Sequence, residues 1–501
     1  MSQTEEIVLH DTHTNAKTAL NHATPQSPSK AQAITAVVAL SGVSFLNTMG
    51  SGILTVALPR MATDLGLNHE ILLWPAAVYA LAAGCTLLIF GAIADVVGDK
   101  RVWLTGSILF AAFTLACGLA QTGNQLIAFR TLLGIAVSMC LPCAVSLMTR
   151  TFPPGKARNL GFASMGMGQP LGYSVGLILG GVFADSIGWR FGYYVSAIIN
   201  ALLSVLAFWS LPRERPRAGP VLQGLKKIDW VGAPIISVSL ALLSFVLAQI
   251  TENYHNLQEP YIIVLFALSI VLLPTFVLWV GWQEKHGRPA LIPNSLWKNR
   301  LFSATCIIVF FTWAELNALQ YFTSLYFQEI QHHSALASSL MFLPMVIAGA
   351  VTNIFTGYTV DKISVGQLVF VSAIISTLSP LLMALIKPSW VYWRGAFVSM
   401  LFSPIHADVL FTVSNLIISR AYPGENQALA GAVFNSVSQV GNSVGLAVSA
   451  AIAASVTEHS GQDTLKGFRA AYWLMFAAMV VVCGFSYFGL RGGGFVGKKN
   501  E

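Results

Sequence analysis

Two carboxylic acids stand well inside long apolar stretches of this chain, Glu315 and Asp408. An ionised carboxylate without a partner is not tolerated in a low-dielectric interior. A carboxyl that takes up and gives up a proton while facing two exits in turn is what proton coupling requires. Asp408 is the first candidate for that work and Glu315 the second. Each also has a structural reading: Asn317, Gln320 or Tyr321 could satisfy Glu315, and a neighbouring helix could hydrogen-bond Asp408. His406 lies two residues before Asp408, a spacing that turns the two to different sides of a helix. No third ligand is evident, so no metal site is expected. Arg130 is a third charge inside an apolar stretch. It costs about 3 kcal/mol in hydrocarbon unless paired or hydrated, so it is expected to face the bundle interior or to snorkel from near its span end.

Other chemistries find no support. Cys140-x-x-Cys143 has a redox or metal spacing, but all six cysteines fall in apolar runs with no His or acid beside this pair, and packing is the expected role. There is no Gly-rich phosphate loop followed by Lys-Ser or Lys-Thr, and no nucleophile–base cluster, so an enzyme is not expected. Composition agrees: 55% of residues are hydrophobic and 10% charged, against about 25% charged in an average soluble domain. The net charge of +7 sits in short loops, where it reads as a topology signal and not as a nucleic-acid surface.

The elements that must position these residues are helices that cross a bilayer. Runs of about 20 apolar residues span the hydrocarbon core as helices. Fourteen are read here: 33–58, 71–93, 102–120, 125–149, 160–184, 190–211, 229–250, 259–282, 301–327, 335–358, 364–386, 390–416, 427–454 and 469–490. The fold class is therefore an all-α polytopic membrane protein. With the N-terminus inside, 21 of the 28 Lys and Arg lie in cytoplasmic segments. Six (Arg60, Arg190, Lys387, Arg394, Lys466 and Arg469) lie outside, and Arg130 lies within a span. Both tails are expected to be cytoplasmic. No cleavable secretory signal is read; residues 1–32 are polar and expected to be a disordered tail, and 491–501 a second cytoplasmic tail.

The chain also repeats itself. Gly91-x-x-x-Asp95 recurs as Gly357-x-x-x-Asp361, an offset of 266, and Gly172-x-x-x-Gly176 recurs as Gly441-x-x-x-Gly445, an offset of 269. The spans beginning at 33 and 301 differ by 268. Residues 33–211 and 301–490 are thus expected to be two pseudo-symmetric six-helix halves. Residues 212–300 would carry cytoplasmic loops and two inserted helices. Parallel halves of this kind place a binding site between them near the midplane. In the loop GAIADVVGDKR, Gly91 permits close helix approach, Asp95 caps or pairs at a helix end, and Gly98 gives a tight turn. Lys100 and Arg101 hold the loop inside. Such a loop can latch helices in one conformation and release them in the other. Gly168, Gly172, Gly176 and Gly180 recur every four residues and form a groove for a second helix, with Pro170 expected to kink it.

These strings resemble a known family. GAIADVVGDKR resembles the signature cytoplasmic loop of the major facilitator superfamily. RTLLG at Arg130 resembles its Arg-x-x-x-Gly motif, whose arginine is associated with proton transfer, although Leu133 stands where a glutamine is usual. GQPLGYSVGLILGG resembles its antiporter motif, with Tyr173 and Leu177 in place of prolines. WRFGYYV, KKIDWVGA, YFTSLYFQ and QALAGAVFNSVSQVGNSVGLAV resemble the fourteen-span drug:proton antiporters, and DVLFTVSN at 408–415 resembles fungal aminotriazole-resistance-type and toxin-efflux pumps. In the first span Asn47 and Gly50 stand where that family has an acid.

The resemblance implies a major facilitator fold that exports small amphipathic compounds such as drugs, toxins or secondary metabolites. The driving force would be a proton gradient with no cofactor. It further implies a plasma-membrane location, with the vacuolar membrane as the alternative, membrane lipid as surroundings, and function as a monomer. The cavity is expected among Asn47, Trp74, Tyr79, Gln169, Tyr173, Trp313, Asn317, Tyr321, Phe322, Asn435 and Gln439, with Glu315 beside them. Aromatics mixed with amides suit an amphipathic ligand of modest charge. Two other functions remain open on the same fold: an importer or facilitator of a nutrient or small solute, and a sensor that has lost transport.

Overall fold

The computed structural model describes residues 29–67, 74–212, 221–226, 228–421, 427–491 and 493–495. Residues 1–28 of the expected N-terminal tail, most of the loop at 212–228 and residues 496–501 lie outside the described residues. Fourteen of the helices are long and apolar enough to cross a membrane, and no strand occurs among the described residues. The protein is an integral, multi-pass, all-α membrane protein.

In chain order the spanning helices are α1 (Lys30–Leu65), α2 (Trp74–Val97), α3 (Asp99–Leu119), α4 (Gly123–Thr151), α5 (Lys156–Asp185), α6 (Arg190–Ser210), α7 (Gly232–Glu252) and α8 (Pro260–Lys285). They continue as α9 (Arg300–Leu325), α10 (Leu343–Thr359), α11 (Val365–Leu385), α12 (Ala396–Ala421), α13 (Gln427–His459) and α14 (Thr464–Gly489). Their starts follow local chemistry. Ser29 and Gln32 form a reciprocal capping box for α1 (both bonds 3.2 Å), so residues 30–32 of the expected tail are helical. Asn299 accepts the Leu301 and Phe302 amides at the start of α9, and Ser364 and Asp463 cap α11 and α14.

The tenth span, Ala337–Thr359, holds a break: the short helix Ala335–Leu340 is followed by a turn at Met341 and Phe342, and α10 restarts at Leu343 with Pro344 in its first turn, where proline's missing amide is harmless. The twelfth does not begin at 390. Tyr392–Arg394 form a 3₁₀ turn, and the helix starts after Gly395.

Packing reproduces the internal repeat. In residues 30–210, α1 packs on α5 and α6, α2 on α4, and α3 on α4 and α6. In residues 300–489, α9 packs on α13 and α14, α10 on α12, and α11 on α12 and α14. The two groups meet through α2 against α13 and α5 against α10, which is the same pairing read in both directions. The inserted α7 and α8 pack on each other, and α7 lies against both α2 and α13, along the seam.

The cores show which end of the seam is shut. One buried cluster runs through both groups at the end holding Leu40, Ala94, Trp103, Met148, Phe162, Val413 and Ala428. At the opposite end each group has its own cluster, around Ile53, Leu126 and Trp189 in the first and around Phe322, Phe342 and Tyr472 in the second. The groups are fused at one end and separate at the other.

Candidate transport cavity and latch

Backbone proximity shapes the site. Gly168, Gly172, Gly176 and Gly180 lie along α1, facing Ser41, Phe45, Met49 and Ile53 in turn. A Cβ on Gly172 would strike the Phe45 carbonyl oxygen and the Thr48 hydroxyl, and one on Gly176 the Met49 carbonyl. Gly441 and Gly445 stand in the same relation to the Phe310 and Ala314 carbonyls of α9. Close backbone contact of this sort is how helices associate where lipid gives no hydrophobic drive. Pro170 interrupts α5 beside Gly349 of α10, 3.4 Å from where a Cβ on that glycine would lie.

Between the two groups lies a cavity of about 380 Å³, within the range of small-molecule sites. It reaches the surface at the separated end, where Thr55 and Ala80 line it and are exposed. Of the residues expected there, Asn47, Tyr79, Gln169, Tyr173, Trp313, Asn317, Asn435 and Gln439 line it together. Three do not. Trp74 lines a separate small hollow between α2 and α7 and packs on Phe245 at 5.7 Å. Phe322 is buried against Phe468 at 5.5 Å, and Tyr321 is turned outward against Phe322. Helix phase is the reason. Trp313, Leu316, Asn317 and Gln320 make the cavity face of α9, at the i, i+3, i+4, i+7 spacing of one stripe. Glu315 falls on another face with Leu319 and Phe322. It is 2% exposed, its Oε1 has no hydrogen-bond partner among the described residues, and it does not line the cavity.

Among the described residues two charged side chains line the cavity, Arg130 and Asp408. Arg130 does not snorkel. It is 2% exposed, donates from Nε to the Pro75 carbonyl (2.9 Å) and lies over the Tyr79 ring (4.5 Å to the centroid), an arrangement in which the ring quadrupole favours the cation. The Tyr79 hydroxyl donates in turn to Asn47 Oδ1, so the amide at the place of the family's acid is used to hold the tyrosine. Asp408 sits at the middle of α12, 8% exposed, with Oδ2 against Gly349 and no hydrogen-bond partner for that oxygen among the described residues. His406, on another face, is fully buried and bonds through Nδ1 to Ser372 (3.0 Å).

At the closed end the loop residues take distinct parts. Gly98 (φ +123°) makes the turn between α2 and α3, a conformation open to glycine at no steric cost. Asp95 Oδ2 accepts the amide of Leu429 in the first turn of α13 (3.1 Å), which ties one group to the other. Lys100 donates to the Phe208 and Leu211 carbonyls at the end of α6 (both 2.8 Å); Arg101 is exposed. Gly91 faces Ala428 and Ala432 of α13, and its counterpart Gly357 faces Leu160 and Ala163 of α5. The repeat therefore gives two glycine crossings at this end. Among the described residues Asp361 makes no equivalent latch bond, and its Oδ1 has no partner.

Sequence reasoning passed over several residues. Asp99 is fully buried, pairs with Arg150 (2.9 Å) and accepts from Ser146 (2.7 Å). Its place in the first turn of α3 was the available signal. Gly349 lies against the Asp408 carboxyl, and Asn353 one turn on donates to the Gly349 carbonyl (3.0 Å), without any motif to mark them. All six cysteines are free thiols, and Cys140 packs with its Sγ 3.6 Å from the Trp103 carbonyl.

Comparison with known proteins places this geometry. The profile of the Major Facilitator Superfamily matches residues 40–441. The protein named MFS-type transporter 1 of Pyricularia oryzae is 51% identical, over 95% of this chain and 86% of its own length. Efflux pump terJ of Aspergillus terreus is 26% identical, over 90% of this chain and 86% of its own. Among solved structures, the human organic anion transporter MFSD10 (TETRAN) aligns with a TM-score of 0.64 at 16% identity. That alignment covers 92% of this chain and 100% of the other, a likeness of fold. With four-fifths of its length matched by the family profile, the chain belongs to the Major Facilitator Superfamily of membrane transporters.

Proposed function

We propose that this transporter exports small amphipathic organic compounds in exchange for protons, by alternating access between its two six-helix groups. The observation that carries the reading is the cavity: it is closed at the Asp95 end, reaches the surface at the other, and has Asp408 as its one lining carboxyl among the described residues. Amides at Asn47, Gln169, Asn317, Asn435 and Gln439 supply hydrogen bonds, and Tyr173, Trp313 and Phe434 supply apolar surface. That mixture suits a compound with both characters. The resistance and efflux names carried by relatives support export. Asp408, and not the off-cavity Glu315, is then the proton carrier, because only a group that water can reach from each side in turn can couple a gradient.

The Lys and Arg distribution supports a cytoplasmic Asp95 end, an orientation in which this conformation faces outward. The plasma membrane is the expected location. The cavity is complete within one chain, which supports a monomer as the working unit. The test uses inside-out vesicles with an imposed pH gradient and a panel of amphipathic compounds. Gradient-driven uptake with matching proton release is expected, and Asp408→Asn should abolish it while the protein stays in the membrane. Normal proton-driven transport by that variant would remove Asp408 from the mechanism. Uptake that ignores the gradient would make the protein a facilitator.

A further inference from the structure

α12 runs unbroken over Ala396–Ala421 but carries Pro404 near its centre, and two serines hydrogen-bond the backbone around it. Pro404 has no amide proton, which frees the Met400 carbonyl; the Ser403 hydroxyl takes that carbonyl at 3.2 Å. The next rung is bridged from outside the helix. Ser376 of α11 donates its hydroxyl to the Phe402 carbonyl (2.8 Å) and accepts the His406 amide (2.9 Å). In a regular helix those two groups, four residues apart, join directly. One turn back on α11, the Ser372 hydroxyl lies 2.9 Å from the Val369 carbonyl and 3.0 Å from His406 Nδ1. One turn further along α11, Ser379 pairs with Ser399 (2.8 Å). Residues 399, 402 and 406 of α12 thus face a serine ladder on α11, while Pro404, Ala407, Asp408 and Phe411 face the cavity.

We infer that Ser376 is a positioning residue for Asp408: as a hydrogen-bonded wedge in the α12 ladder, it sets how residues 404–408 are presented to the cavity. Asp408 lies two residues beyond the wedged amide, where a change of helix direction moves its carboxyl relative to Asn353 and Gly349 on α10. Among the described residues the pseudo-equivalent helix α4 has no such bridge; its Ser138 bonds within α4 and to Thr86 of α2. The device belongs to the half that holds the carboxyl. This inference rests on the reading of Asp408 as the proton carrier. The other ionisable groups around that cavity are Arg130 on α4, Tyr79 on α2 and Tyr173 on α5, with His406 on Asp408's own helix. α9, α10 and α13 present neutral side chains to it.

The test needs no substrate. Infrared spectra of the purified full-length protein, recorded against pH in lipid nanodiscs, report protonated carboxyls, and the band missing in Asp408→Asn is the Asp408 band. Ser376→Ala should displace its titration midpoint by about half a pH unit or more, a roughly threefold change in proton affinity. Ser376→Thr, which keeps the hydroxyl, should leave it in place. Ser399→Ala, which removes a neighbouring α11–α12 bond without touching the wedge, should lower thermal stability and leave the midpoint unmoved. If Ser376→Ala does not fold, Ser376→Cys retains the shape with a weak donor and acceptor and should move the midpoint in its place. An Asp408 midpoint unmoved in Ser376→Ala, or in Ser376→Cys, overturns the inference. Absence of any titrating band lost in Asp408→Asn overturns the coupling reading itself.

Discussion

Replacing Asp95 by Asn should loosen the closed end, and its bond to Leu429 across the seam sets the scale of the effect. Asp95 Oδ2 accepts the Leu429 amide at 3.1 Å, across the two groups, from a half-buried position. A hydrogen bond to a charged acceptor contributes about 1.5–3 kcal/mol and a neutral one about 0.5–1.5 kcal/mol. The positive end of α13 adds roughly 0.3–1 kcal/mol for an anion and little for an amide. Solvent screening at a half-exposed side chain reduces the total, which leaves about 1.5 kcal/mol, or roughly tenfold in an equilibrium constant. The bond cannot survive separation of α2 from α13, so the whole loss falls on the closed state. If the form open at this end has a population of about 1% in the wild type, it should rise to about 9% in Asp95→Asn. Spin labels at Ala157 and Lys362, both exposed and on opposite groups at this end, read the change by electron–electron distance measurement. The half-exposed Cys85 and Cys483 are first replaced by Ser. An unchanged distance distribution, or a shift toward closure, would refute the latch.

Three further outcomes follow from contacts. Gly445→Ala places a methyl group into the Ala314 backbone and should cost about 1–3 kcal/mol, seen as a lower thermal midpoint in detergent. Gly484→Ala, in α14 with nothing within 4 Å of the new carbon, should be neutral or slightly stabilising. Asp99→Asn breaks the Arg150 pair at a fully buried carboxylate and should destabilise by about 2–3 kcal/mol. That is less than a fully buried pair loses, because Arg150 is 30% exposed and can turn to water.

How far the sequence could be read depended on what sets each feature. Span number follows from hydropathy, because the bilayer imposes length and apolarity on every crossing. The repeat was legible because glycine at a backbone contact has no substitute: Gly172 and Gly441 sit against carbonyls that leave no room for a Cβ. Helix phase was not legible. α9 is apolar on most sides, so no stripe tells which face meets the other half, and Glu315, Tyr321 and Phe322 were grouped with a cavity they turn away from. Trp74 failed in another way. It faces the inserted α7, which occupies the seam beside α2, and a helix pair without a counterpart in the repeat cannot be placed from the repeat. Gly349 and Ser376 had no signal, because their contacts with Asp408 and with the α12 backbone arise only when α10 and α11 meet α12.

The two halves share a backbone plan but divide the chemistry. Gly91 and Gly357 bring α2 onto α13 and α5 onto α10 with the same close approach, so the closed end is built twice. Its electrostatic tie is found at Asp95, not at Asp361. The cavity shows the same division: a cation fixed by Tyr79 and Asn47 in the first half, and a carboxyl on a wedged helix in the second. The repeat relates one half to the other and places an acid in each, but the bond across the seam is made at Asp95. The Asp95 bond favours closure at its own end. Under the proposed exchange, the protonation of Asp408 in the cavity is the variable that would shift the balance between the two open forms, and the direction of net transport would come from the gradient.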